Sequence, residues 1–276
     1  MANSPSIIFS INSPHTMPAD IQPPKHNQTP KHHQPLTPSH FQKIIAEVVG
    51  TYVFVFAGCG AALVYRDDPT ALAAAFIPAL ALMAMIYAVG HVSGAHFNPA
   101  VTVAFAVACR LPFIQVPIYV LSQLFGSTLA SFTLRLLFKH QINFVPMLTQ
   151  YSPTSTSDLE AIVWEFILTF ILIFTIFGVA SDDRANNALC GVAIGGALLL
   201  NALIGGSITG ASMNPARSLG PAVAIGVYKN QWVYAIAPLL GGVAASVVYS
   251  LLRPTQSQKL NTSVKSVYTD LYHPQV

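Results

Sequence analysis

Charge is the scarcest feature of this chain. Of its 276 residues only 8% are Asp, Glu, Lys or Arg, while 53% are hydrophobic. Soluble domains usually carry roughly 25% charged residues. This shortage excludes an ordinary soluble domain and favours a protein whose surface faces lipid. The formal net charge of +3 is spread along the chain, which excludes the concentrated basic face of a nucleic-acid-binding protein.

Cysteine is also rare, with three residues at Cys59, Cys109 and Cys190. They show no metal-ligand spacing and no pairing pattern, which excludes a disulfide scaffold, so we expect all three to be small buried hydrophobic residues. The sequence also shows neither a nucleophile–base pair nor a cluster of metal ligands. It therefore predicts no enzyme activity, no cofactor and no bound metal.

Six long apolar segments account for about half of the chain. Each has about 21 to 25 residues, and at ~1.5 Å per helical residue this length crosses a hydrocarbon core of ~30 Å. Since backbone groups in lipid must bond within their own segment, these segments are predicted to be transmembrane helices. They lie at 41–65, 71–91, 113–137, 159–180, 187–207 and 231–252.

Polar tails flank these segments. Residues 1–40 are rich in Pro, Ser, His, Asn and Gln, and are predicted to form a disordered tail. A second polar tail runs from 254 to 276. Kinases are possible partners of both tails. The candidate sites are Ser4, Ser13, Thr29, Thr37, Ser263 and Ser266.

Two further apolar stretches, at 93–109 and 209–224, are too short to span a membrane. Each contains the tripeptide Asn-Pro-Ala, at Asn98-Pro99-Ala100 and Asn214-Pro215-Ala216. Asparagine is a preferred helix N-cap, and proline is favoured at the first helical position. Each tripeptide therefore predicts a half-helix that starts at the bilayer centre, where such a break must be buried or line a wet cavity.

The order of these elements repeats. Glu47 precedes Asn98 by 51 residues, and Glu165 precedes Asn214 by 49. Three spans in each unit make the second copy enter from the opposite side, so halves 41–137 and 159–253 form an inverted repeat. We expect Glu47 and Glu165 to accept N–H bonds from the irregular chain before each half-helix, with a proton relay as the alternative.

The two half-helices then meet end to end near the bilayer centre. If each asparagine caps its own helix with its carbonyl oxygen, the amide NH2 is left facing the cavity as a donor. Two such donors hold a water or hydroxyl by its oxygen, and the positive helix ends repel cations. The pattern predicts a passive channel domain over 41–253 that excludes protons and ions.

The motifs SGAHFNPAV and TGASMNPARS closely resemble the two signature loops of aquaporins, the major intrinsic protein family. The resemblance covers about 41–253, and ASMNPARSLGPAV is most similar to the plant nodulin-like intrinsic proteins. It implies an all-α fold of six transmembrane helices plus two half-helices. It also implies passage of water, glycerol and metalloid acids, a homotetramer and a plasma-membrane location.

The same resemblance implies a selectivity filter. Arg217 would supply donors at the narrowest ring, and counting from the two motifs adds Pro78, Ala202 and Ala211. Three small residues beside one arginine predict a ring wide enough for glycerol, urea, or boric, silicic or arsenous acid. His96 is expected to line the vestibule at the opposite end of the pore.

Basic residues set the expected orientation. With both tails cytoplasmic, the inner side carries eight Lys and Arg residues and the outer side four, which follows the positive-inside rule. The inner residues are Lys25, Lys31, Lys43, Arg110, Arg184, Arg253, Lys259 and Lys265. The outer ones are Arg66, Arg135, Lys139 and Lys229.

Three other functions remain open from the sequence. The first is a channel for water alone. The second is a secondary transporter of small solutes, since inverted repeats with broken helices also build transporters. The third is a structural junction protein with a closed pore.

Overall fold

The computed structural model describes residues 38–67, 72–140, 143–152, 154–182, 184–185 and 187–253. The expected tails, at 1–37 and 254–276, lie outside these residues. The described chain is helical, with eight α-helices numbered in order. They are α1 (His40–Val64), α2 (Leu72–Ser93), α3 (Pro99–Val107), α4 (Val116–Leu137), α5 (Asp158–Ala180), α6 (Cys190–Thr209), α7 (Pro215–Ile225) and α8 (Gln231–Leu251).

Six of these helices are long and apolar enough to cross a membrane, when α4 and α6 are counted with the 3-10 turns that precede them. Their ends agree within two residues with the six predicted segments. This confirms the six-span fold. The two half-helices are α3 and α7, and both are shorter than the apolar stretches that predicted them, because residues 94–98 and 210–214 form non-helical loops.

The first helix begins earlier than the sequence suggested. The expected tail ran to residue 40, but Ser39 caps α1 and His40 is its first residue. The cause is a capping box, in which the Ser39 side chain accepts from the Gln42 N–H and the Gln42 side chain accepts from the Ser39 N–H. Ser157 and Glu160 build the same box at the start of α5.

Small residues let the long helices cross closely. A Cβ added at Gly126 of α4 would lie 2.4 Å from the carbonyl oxygen of Val48 in α1. A Cβ at Gly241 of α8 would lie 2.4 Å from the carbonyl oxygen of Phe166 in α5. Helix association in lipid depends on such close backbone approach. The α1–α4 crossing thus has an equivalent in the α5–α8 crossing, as the inverted repeat requires.

The half-helices tie the two repeats together. The half-helix α3 packs mainly against α8 of the other repeat, and α7 packs mainly against α4. At the second of these contacts a Cβ on Gly220 would lie 2.7 Å from the backbone of Ser127, whose hydroxyl donates to the Ala216 carbonyl at 2.6 Å. Each repeat therefore completes the wall of the other.

Replacing Gly126 with Ala tests the close crossing. The new methyl group meets a backbone carbonyl that cannot move aside, so we expect a loss of about 1–3 kcal/mol of stability and a lower thermal midpoint in detergent. Gly196→Ala is the matched control, because a Cβ there meets nothing within 4 Å. Equal midpoints for the two variants would contradict the crossing described above.

Candidate pore and its central constriction

The loops that lead into α3 and α7 have the same unusual backbone. Gly94, Ala95 and Phe97 have positive φ angles of 89°, 52° and 51°. The corresponding residues Gly210, Ala211 and Met213 have 83°, 42° and 52°. Left-handed conformations are uncommon for residues other than glycine and persist where surrounding contacts enforce them.

Glu47 supplies those contacts for the first loop. Its Oε1 accepts from the Ser93 hydroxyl at 2.6 Å and the His96 N–H at 3.0 Å. Its Oε2 accepts from the Phe97 N–H and from the Gln123 side chain, both at 2.8 Å. The carboxyl group is fully buried, and four donors surround it.

Glu165 does the same for the second loop. Its Oε1 accepts from the Thr209 hydroxyl at 2.7 Å and the Ser212 N–H at 2.9 Å, and its Oε2 accepts from the Met213 N–H at 2.8 Å. Glu165 is also fully buried. In both glutamates the oxygens act only as acceptors in these bonds, an arrangement suited to holding a loop and unlike that of a proton relay.

Asn98 and Asn214 lock the two half-helices together. Their Oδ1 atoms cap their own helices, accepting from the N–H groups of Ala100 at 2.8 Å and Ala216 at 2.9 Å. Their Nδ2 atoms reach across, with Asn98 donating to the Met213 carbonyl at 2.8 Å and Asn214 to the Phe97 carbonyl at 2.9 Å. These reciprocal bonds fix the distance between the two helix N-termini.

The cross-bonds change one expectation. The sequence suggested that the whole amide NH2 of each asparagine faces the cavity, but one of its two hydrogens is bonded to the opposite loop. One N–H of each amide is left for a ligand. No sequence signal showed this, because it depends on the carbonyl groups of Phe97 and Met213, which any residue type provides.

Two cavities approach this pair from opposite ends. The histidine cavity, which contains His91 and His96, has a volume of about 510 Å³ and is also lined by Asn98 and Asn214. The arginine cavity, which contains Arg217, has a volume of about 520 Å³. Three residues line both cavities, so the two cavities adjoin at these residues. They are Phe54, Leu198 and Ser212.

The structure brings the four residues of the expected filter into one place. Pro78, Ala202, Ala211 and Arg217 all line the arginine cavity. Pro78 comes from α2, and the other three come from α6, the second loop and α7, which follow one another in the sequence. Three of the residues that share this cavity with Arg217 therefore have small side chains.

A backbone carbonyl holds the Arg217 guanidinium. Its NH1 donates to the Met147 carbonyl oxygen at 2.9 Å and contacts the Cys59 sulfur at 3.8 Å. Because a carbonyl oxygen carries no full charge, this bond does not neutralise the guanidinium, whose remaining N–H groups are left as donors. The sequence did not link Met147 or Cys59 to Arg217, since nothing in their spacing connects them.

The expectation that all three cysteines are buried needs correction. Cys59 is buried as expected, but Cys109 is exposed and Cys190 is only half-buried. Both lie at helix ends, where the chain leaves the packed interior. His96 lines the histidine cavity, where the sequence placed it; it is 6% exposed, and its Nδ1 lies 3.1 Å from the Thr102 hydroxyl.

An ion pair lies in the connection from α5 to α6, which also contributes Asn187 and Ala188 to the lining of the histidine cavity. Asp182, in the connection from α5 to α6, accepts from Arg184 at 2.6 Å and from the Tyr249 hydroxyl of α8 at 2.9 Å. Hydrogen bonds from Arg184 hold the pKa of the Asp182 carboxyl well below its usual range. Further along this connection, the Ala188 carbonyl accepts from Tyr87 of α2 at 3.2 Å.

Comparisons with known proteins agree with this geometry. A family model described as Major intrinsic protein matches residues 36–249. Nodulin-26 of Glycine max is 50% identical over 230 residues, covering 82% of each chain. Aquaporin NIP1-1 of Oryza sativa subsp. japonica is 50% identical over 217 residues, covering 78% of this chain and 75% of the relative.

A solved structure is similar as well. The X-ray structure of the aquaglyceroporin from Plasmodium falciparum superposes with a TM-score of 0.67 at 26% sequence identity. The match covers 76% of this chain and 96% of that one.

Replacing Glu47 with Gln tests the loop anchor. Glutamine would place its NH2 group against N–H and O–H groups that now donate to the carboxylate, leaving donors without an acceptor. We therefore expect a loss of about 2–5 kcal/mol of stability and a lower thermal midpoint. Glu160→Gln is the control, because this exposed residue lies in a capping box that glutamine also satisfies. If Glu47→Gln instead left the midpoint unchanged and altered proton leak in vesicles, the relay would be supported.

Proposed function

The chain belongs to the major intrinsic protein family, and from this premise we propose which solutes it passes and how it rejects ions. It is a multi-pass membrane channel for water and small solutes, and members of this family are channels, not enzymes. What remains to be assigned is the choice among small neutral solutes.

We propose passage of glycerol, urea and undissociated boric, silicic or arsenous acid, besides water. Support comes from the arginine cavity, where Pro78, Ala202 and Ala211 add little bulk beside Arg217. Guanidinium N–H groups donate to the oxygens of such solutes, and the solutes are small enough to pass. The similarity to an aquaglyceroporin is consistent with this choice.

The observation that carries the channel mechanism is the reciprocal bonding of Asn98 and Asn214. It holds the N-termini of α3 and α7 at the meeting point of the two cavities, so both positive helix ends face the same passing molecule. The remaining N–H of each amide binds the oxygen of that molecule. A water held this way donates to neither helix end and relays no proton, and cations are repelled.

The competing functions have less support. A water-only channel needs a narrower ring than the three small residues provide. A secondary transporter needs an accessible coupling group, but Glu47 and Glu165 are fully buried, accept bonds from their loops, and line neither cavity.

Assembly, orientation and location are part of the same proposal. We propose a homotetramer in the plasma membrane with one pore per subunit, both tails in the cytoplasm, and kinases as partners of the tails. Two hydrogen bonds support the proposal that Arg184 and Arg253 lie on the same side of the membrane. Arg184 donates to the Leu252 carbonyl at 3.2 Å, and Arg253 donates to the Ser181 carbonyl at 2.9 Å.

A stopped-flow panel on purified protein in vesicles tests the function directly. We expect water, glycerol, urea and boric acid to cross with a low activation energy, without saturation at millimolar solute and without an ion gradient. Dependence on a gradient would favour a transporter, and absence of every flux would favour a closed junction protein.

A narrower ring tests the solute choice. Ala202→His with Pro78→Phe adds bulk inside the arginine cavity, so we expect glycerol and boric acid flux to fall while water flux survives. The control is Leu80→Phe with Leu200→Phe, which adds bulk to exposed positions of α2 and α6 that line neither cavity. Unchanged solute flux in the first variant would mean that the ring lies elsewhere.

A further inference from the structure

Pro78 interrupts the backbone hydrogen bonding of the helix that contains it. It lies inside α2, six residues after the helix begins at Leu72. Proline has no N–H, so it cannot donate to the carbonyl oxygen four residues earlier. In α2 that oxygen belongs to Ala74, and it loses its usual helical partner.

The oxygen is freed beside the pore. Ala74 and Pro78 lie one turn apart on α2, and both line the arginine cavity. Carbonyl groups in a helix point toward its C-terminal end, so the Ala74 oxygen is directed from Ala74 toward the level of Pro78. An unpaired backbone group within a membrane is tolerated where it lines a wet cavity, and this cavity provides that setting.

The position of this proline is specific. The described helices contain three interior prolines, Pro78, Pro221 and Pro238. Of these three, only Pro78 lines either cavity. Gly58 of α1 faces it, since a Cβ added there would lie 3.2 Å from the Pro78 Cβ, so the neighbouring helix leaves room for the ring.

The freed oxygen complements Arg217. At the ring, Arg217 offers donors only, and the side chains of Ala202 and Ala211 offer neither donor nor acceptor. A polyol, urea or oxyacid carries both acceptor oxygens and O–H or N–H donors. Its oxygens are satisfied by Arg217, but its own donors need an acceptor when they leave water.

We propose that the Ala74 carbonyl oxygen, freed by Pro78, accepts hydrogen bonds from the O–H and N–H donors of solutes in the filter. This inference rests on the proposed function, because it assumes that such solutes pass the ring. It makes Pro78 a specificity-determining residue through the backbone acceptor it exposes, in addition to the width it leaves.

Pro78→Ala and Pro78→Gly test the acceptor. Both restore the N–H at position 78, which then donates to the Ala74 carbonyl in the usual helical hydrogen bond. Both side chains are also smaller than that of proline. Loss of one hydrogen bond in the filter is expected to lower glycerol and boric acid flux about three- to tenfold. If width alone governed the ring, the smaller side chains would raise flux, so the two explanations predict opposite signs.

A donor-free solute separates the acceptor from a change in helix shape. Dimethyl sulfoxide has an acceptor oxygen but no O–H or N–H donor, so its flux should be unchanged in both variants. Pro238→Ala is the matched control, since it also removes an interior proline but lies outside both cavities. Thermal midpoints of all variants report whether each one folds.

The outcomes are distinct. A selective loss of glycerol and boric acid flux in both Pro78 variants supports the acceptor. Unchanged or increased flux, or an equal loss for dimethyl sulfoxide, overturns it while leaving the channel function intact. Absence of glycerol and boric acid flux in the unmodified protein would instead overturn the proposed solute choice.

Discussion

The structure depends on how the backbone N–H and C=O groups of four segments find hydrogen-bond partners at the centre of a membrane. Two helices begin there and two irregular loops lead into them, where lipid offers no hydrogen bonds. Glu47 and Glu165 accept the loop N–H groups, and Asn98 and Asn214 cap their helices while bonding the opposite loop. The same groups that prevent a costly break in the membrane also position the donors of the pore.

The two halves share this frame but differ along the path. Phe97 and Met213 occupy equivalent places, with nearly equal φ angles and equivalent bonds to the two glutamates. Three residues after the asparagine, however, the first half has Val101 in the histidine cavity and the second has Arg217 in the arginine cavity. The glutamate and asparagine hydrogen bonds must be symmetric because both half-helices start within the membrane and need the same partners. Selectivity needs only one charged ring along the path.

The proposed filter combines a charged side chain with a neutral backbone carbonyl. Met147 reaches Arg217 with a carbonyl oxygen, which orients the guanidinium without cancelling its charge. A carboxylate in that place would attract cations into the path and compete with neutral solutes for the same donors. In the proposed filter, the small residues around the arginine would leave size and hydrogen bonding to distinguish one solute from another.

By itself the sequence determined the six spans, the two half-helices and their inverted order, because long apolar runs and the Asn-Pro start of a helix are local signals. The four filter positions came from counting within a recognised pattern, and they line one cavity. Only the tertiary structure decided how each asparagine divides its two amide hydrogens, which carbonyl holds Arg217, and where Cys109 sits. These depend on backbone atoms brought together from distant parts of the chain, and a backbone carbonyl leaves no trace in the identity of its residue.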